Sequence, residues 1–214
     1  MVSNFINKIF CIFDRLYYRI KLFNLTKEID DWHLSGTFYC RNYKIKSLQI
    51  INRINPGFVI DIGCGLGDLT ARIKLPSEKK CGYDIEIKLE KAIKRIYPGR
   101  FNFFSDETRL NNYVKLFFKK EDQPLLIICL NYTHKVSHLD FFNSLSGYLK
   151  TFGPFILLTD SINIRTSEFP FIHKDFLENH SGFQRVFRNV DSIRSLYLLR
   201  INKENLIQNE FIKM

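Results

Sequence analysis

From Phe58 onward, apolar runs and helix-spaced segments take turns along the chain, and that alternation constrains the fold most. "FVIDI", "KCGYDIE", "RFNFFSD", "PLLIICLNY" and "PFILLTDS" read as strands. Between them, "GDLTARIK", "KLEKAIKRIYPG", "TRLNNYVKLFFKK" and "HLDFFNSLSGYLKTFG" read as helices, the last ended by Gly153. In the second of these, Leu89, Ala92, Ile93 and Ile96 share one side. Strands that are apolar almost throughout are buried on both faces, so the pattern predicts an α/β fold with a mostly parallel sheet covered by helices on both sides. After a short helix, "HKDFLENH", the runs "GFQRVFRN" and "RSLYLLRIN" follow one another closely. They should pair antiparallel, because a parallel crossover needs about a dozen residues.

Upstream, residues 43–54 return to helical spacing through Ile45, Leu48, Ile51 and Ile54, and Asn55, Pro56 and Gly57 stop them. The first segment, "NFINKIFCIFDRLYYRIKLF", places Phe5, Ile9, Ile12, Phe13, Leu16, Ile20 and Phe23 on one helical face. Such a face either packs on the domain or on a second copy, or lies in a membrane interface. The polar, aromatic stretch "TKEIDDWHLSGTFYCRNYK" reads as an ordered loop. Residues 1–40 thus form an N-terminal amphipathic helix and loop, and residues 41–214 the domain.

The net charge of +10 permits an anionic partner, but Lys and Arg are scattered, with no run of five. The five cysteines, Cys11, Cys40, Cys64, Cys81 and Cys129, are odd in number and form no CxxC pair. Free thiols in a reducing cytoplasm are expected, with no zinc site. No secretory signal or membrane-spanning run of about 20 apolar residues is visible.

The glycine loop carries the functional signal. "FVIDIGCGLGDL" ends a buried strand and breaks into Gly63, Gly65 and Gly67, at the sheet edge where α/β folds bind ligands. The spacing is not the dinucleotide fingerprint, because Asp68 stands where its third glycine would fall. That disfavours a nicotinamide oxidoreductase. Asp61 and Asp68 suit a cationic or zwitterionic ligand better than an anion. Asp84, ending the next strand, can accept both hydroxyls of a ribose.

"VIDIGCGLG" resembles the first motif of class I S-adenosylmethionine-dependent methyltransferases, and "GYDIE" their second. The resemblance implies a Rossmann-like three-layer sandwich with a seven-stranded sheet and an antiparallel last strand. It implies S-adenosylmethionine as cofactor, with Asp61, Gly63, Cys64, Gly65 and Gly67 lining its methionine and ribose portion. Asp84 would hold the ribose and Ile85 pack on the adenine. Ser105 and Asp106 would reach the adenine amino group, and Leu130 and Asn131 the methionine end. "SGTFYCRNYKIKSLQIIN" is similar to a glycine- and tyrosine-containing segment before the first strand of some bacterial methyltransferases.

A hydroxyl acceptor would also need a general base. His134, beyond the fourth strand, is the first choice; His138 and Asp160 are the other candidates, and Tyr132 would shape the acceptor pocket. The Asn-Pro-Pro-aromatic motif of many exocyclic-amine methyltransferases is missing, since Tyr132 and Thr133 follow Asn131. No RNA-binding module is recognisable. The short extension and lack of a large insertion favour a sugar, glycan or other small-molecule acceptor. An RNA or protein methyltransferase, and a non-catalytic binding or assembly protein on the same scaffold, are the alternatives.

Overall fold

In a computed structural model of the protein, residues 2–25, 29–119, 121, 124–131, 136–162, 177, 183–191 and 194–202 are described. The strands are β1 (Phe58–Ile62), β2 (Lys80–Tyr83), β3 (Asn102–Phe104), β4 (Leu125–Cys129), β5 (Phe155–Ile162), β6 (Phe183–Asp191) and β7 (Arg194–Ile201). They form one seven-stranded sheet in the order β3-β2-β1-β4-β5-β7-β6. β1 pairs in parallel with β2 and β4, placing Asp61 beside Gly82 and Ile128. β7 runs antiparallel between β5 and β6. The mostly parallel sheet and antiparallel last strand match the expectation from the chain pattern.

The helices are α1 (Val2–Lys21), α2 (Asp31–Ser35), α3 (Asn42–Ile54), α4 (Leu89–Ile96), α5 (Glu107–Phe117) and α6 (His138–Phe152). Alternation along β1 sends Phe58, Ile60 and Ile62 to one face, against Leu110 and Val114 of α5 and Phe141 and Leu145 of α6. Val59 faces the other way, into a cluster with Ile50 and Ile51 of α3. Asn55 closes α3 in the left-handed conformation, φ 50°, which asparagine tolerates better than most residues.

Two local expectations give way. "GDLTARIK" forms no α-helix; one tight turn at Thr70–Arg72 is followed by extended Ile73. Pro76 lies just beyond, and the residue before a proline avoids the helical region. The second change concerns α1. It docks on the domain through Asn7, Cys11, Asp14, Tyr18 and Leu22, the side opposite its apolar stripe. Tyr18 and Leu22 are buried in a cluster with Leu89, Ile93 and Ile96 of α4. Asp14 pairs with Arg72 at 3.3 Å, and the Tyr18 hydroxyl donates to Asp68.

That docking brings the Cα atoms of Cys11 and Cys40 to 4.8 Å, and the two form a disulfide. Cys64, Cys81 and Cys129 are free. The expectation of five free thiols is therefore corrected, and its argument for a reducing compartment goes with it. The pairing spans 29 residues and depends on how α1 packs, which cysteine spacing does not reveal. No helix among the described residues is long and apolar enough to cross a membrane.

Candidate functional site

The strand order reverses between β1 and β4, since β2 and β3 extend one way and β5 the other. A crevice at the carboxyl ends of two such strands is where open α/β sheets bind ligands. Here a cavity opens at that point.

The glycine loop forms its floor. Gly63, Gly65 and Gly67 all have positive φ, at 70°, 55° and 71°. A Cβ on Gly67 would strike the Phe101 ring, and one on Gly65 would lie 3.0 Å from the His33 ring. Gly67 therefore lets the loop settle onto the sheet, while Gly65 lets the N-terminal segment close over it. The loop is held from the next strand: the Gly65 N–H donates to Asp84 at 2.9 Å, and the Glu86 N–H donates to the other Asp84 oxygen at 3.1 Å.

The charges of the cavity come in both signs. Asp61, at the end of β1, accepts from the Thr70 hydroxyl. Burial pushes its carboxyl up to about 7. Asp68 is also buried and also pushed up to about 7, yet its partners differ. Lys44 of α3 donates to it at 2.6 Å and Tyr97 at 3.2 Å, in addition to Tyr18. Burial and the neighbouring Arg41 guanidinium bring Lys44 down to about 7. At 2.6 Å the pair forms a charge-assisted bond, with Asp68 as the fixed counter-ion of Lys44. Arg41 and Lys44 line the cavity together with Asp61 and Asp68, so the lining carries both signs of charge.

No family model and no curated protein matches the sequence. Solved structures match its fold. The N-methyltransferase NodS from Bradyrhizobium japonicum WM9, in complex with S-adenosyl-L-homocysteine, aligns over 86% of this chain and 97% of its own, at TM-score 0.53 and 13% identity. The methyltransferase domain of bacterial CtHen1 aligns over 76% and 98%, at TM-score 0.52 and 13% identity. The fold is that of the class I methyltransferases.

Within this methyltransferase fold, the structure brings Asp61, Gly63, Cys64, Gly65, Leu130 and Asn131 together around the cavity. Asp84 reaches the loop from β2 through Gly65. Ile85 is 81% exposed, an apolar side chain open to a flat ligand face. Asp106 is placed otherwise: its carboxylate accepts from the Arg109 N–H at 2.7 Å and caps α5. Ser105, just before it, is half-buried and outside the cavity lining.

Asp160 does not stand as a base. It is fully buried, paired with Arg194, and accepts from the Asn131 N–H at 2.8 Å. Arg194 in turn donates to the Asn131 side chain at 3.0 Å and stacks 4.0 Å from the Tyr43 ring centroid. A base must reach the acceptor's proton. Asp160 instead braces the ends of β4 and β5, holding Asn131 at φ 59° where the chain enters the cavity wall. Tyr132 and His134 lie outside the described residues. His138 begins α6.

Sequence reasoning missed His33, Arg41, Tyr43 and Lys44 as cavity residues. The glycine- and tyrosine-containing segment before β1 carried a signal for Arg41, Tyr43 and Lys44, and none for His33.

Proposed function

We propose that this protein is an S-adenosylmethionine-dependent methyltransferase acting on a small-molecule acceptor. The observation that carries the reading is that Asp61 and Arg41 line one cavity beside the glycine loop. Amino-acid zwitterions have those two charges, and the nucleoside end finds Asp84 and Ile85 on the next strand.

The donor set fits the cofactor. Asp61 would accept from its ammonium, since an arriving cation favours the ionised carboxylate that burial alone disfavours. Arg41 would meet its carboxylate. Asp84 keeps lone pairs for ribose hydroxyls beyond the two backbone donors it already serves. Leu130 and Asn131 wall the methionine end. When bound, the cofactor supplies a methyl group on a sulfonium. The remaining work of the chain is to orient the acceptor, a contribution on the order of 7–11 kcal/mol in well-aligned systems. For a hydroxyl acceptor, such as that of a sugar or glycan, His134 is the proposed general base, with Tyr132 shaping the pocket.

Calorimetry with S-adenosylhomocysteine tests the reading. Binding to the wild type, weakened roughly tenfold by Asp84→Ala, is expected. Absence of binding would turn the reading towards a non-catalytic protein on this scaffold. Release of S-adenosylhomocysteine on addition of sugars and small hydroxylated metabolites identifies the acceptor, and strict dependence on RNA would overturn the small-molecule choice.

A further inference from the structure

We propose that α1 lies in the headgroup plane of an anionic phospholipid membrane and holds the domain at that surface. The inference is independent of methyl transfer and rests on how the helix is mounted.

At 100° per residue, Asn7, Cys11, Asp14, Tyr18 and Leu22 form one arc of the helix, and this arc faces the domain. The opposite arc runs from Ile12 through Leu16, Ile9 and Ile20 to Phe13. Ile12 is 66% exposed, Phe13 62% and Ile20 67%. Phe10, Tyr17 and, just past the helix, Phe23 extend the apolar surface. A stripe this long is rare on a soluble monomer and marks a contact surface.

The charges choose the partner. Lys8, Arg15 and Arg19 border the apolar arc on one side and Lys21 on the other, all exposed. The one acid of the helix, Asp14, is turned inward and paired with Arg72. An apolar arc edged by cations, with no acid on the outer side, matches acyl chains beneath anionic headgroups. A second copy of the helix would bring like-charged edges together with no acid on either to offset them. The helix cannot cross the bilayer. It is mounted firmly for a surface role, by the Cys11–Cys40 disulfide, the Asp14–Arg72 pair and the Tyr18–Asp68 bond.

Co-sedimentation of the full chain with vesicles tests this. The wild type should bind vesicles of equal parts phosphatidylserine and phosphatidylcholine, bind pure phosphatidylcholine far less, and be released by salt. Phe13→Glu with Ile20→Glu should reduce binding by roughly tenfold or more, and Lys8→Glu with Arg19→Glu should remove the preference for phosphatidylserine. All four positions are exposed, so thermal midpoints should stay at the wild-type value. Absence of wild-type binding, salt-insensitive binding equal on both vesicles, or undiminished binding by the Phe13→Glu/Ile20→Glu protein overturns the proposal. So does a wild-type dimer in sedimentation velocity that the same variant splits.

Discussion

Asp61 and Asp68 lie at the two ends of one glycine loop, both buried and both pushed up to about 7, yet their surroundings differ. Asp68 is surrounded by partners from its own chain: Lys44, Tyr18 and Tyr97. Asp61 has the Thr70 hydroxyl and feels the Lys44 charge through space, with no cation in hydrogen-bond contact among the described residues. A buried carboxylate with its counter-ion built in is structural; one without is poised for a cation from outside. Burial alone does not separate the two, and the partner list does.

The largest effect should come from Asp68→Ala. It removes the carboxylate that Lys44, Tyr18 and Tyr97 share, leaving Lys44 the Gly36 carbonyl and the tyrosines each other, at a cost of about 3 kcal/mol. Urea unfolding should read that loss, and limited proteolysis should show α1 released. Asp61→Asn should behave oppositely. Affinity for S-adenosylhomocysteine should fall by about 2 kcal/mol in calorimetry, through loss of a charged hydrogen bond.

The stability of the cofactor-free protein then follows from the sign of the shift. The folded carboxyl titrates at about 7 against an ordinary value of 3.8, so its burial cost grows as pH rises through that window and is complete above it. Asp61→Asn should therefore leave stability at acid pH unchanged and raise it above neutrality, by on the order of 2–4 kcal/mol. Melting curves across pH check this.

The same titration sharpens the contrast through binding. If the ligand's ammonium needs the ionised carboxylate, wild-type affinity should fall about tenfold per pH unit below neutrality. The Asp61→Asn protein should lack that slope. The smallest effect is Tyr18→Phe, which removes one donor to Asp68 and should lower stability by about 1 kcal/mol while cofactor affinity holds. A loss of affinity there would blur the division between the two acids.

The fold was legible because it rests on local periodicity. Near-continuous apolar strands alternating with helix-spaced segments admit few arrangements, and the short link between the last two strands left only antiparallel pairing. The helix expected after Gly67 was misread because "DLTARIK" has helical spacing too, and Pro76 shortens what that spacing can build. In the site, the glycine loop, Asp61, Leu130 and Asn131 were legible, since strand ends in such a sheet converge on one edge. Lys44 and Arg41 were not. Lys44 sits in the first turn of α3 and Arg41 just before it, and helical spacing says which side is apolar but not that this end meets the loop. Asp160 was misjudged for a related reason: a strand-end acid looks available until Arg194, from the last strand, is seen holding it.

The N-terminal helix marks the boundary between what the amino-acid order settles and what packing decides. The chain alone makes residues 2–21 an amphipathic helix, because periodicity is a property of neighbouring residues. It also makes the glycine loop and places an acid at the end of the next strand. Only the folded molecule decides that the helix docks by its weaker side, that Cys11 meets Cys40, and that Lys44 bonds Asp68. Those outcomes join residues 24 to 50 positions apart. They depend on which of two possible faces finds a complementary surface, and a sequence pattern defines the faces without naming the surface.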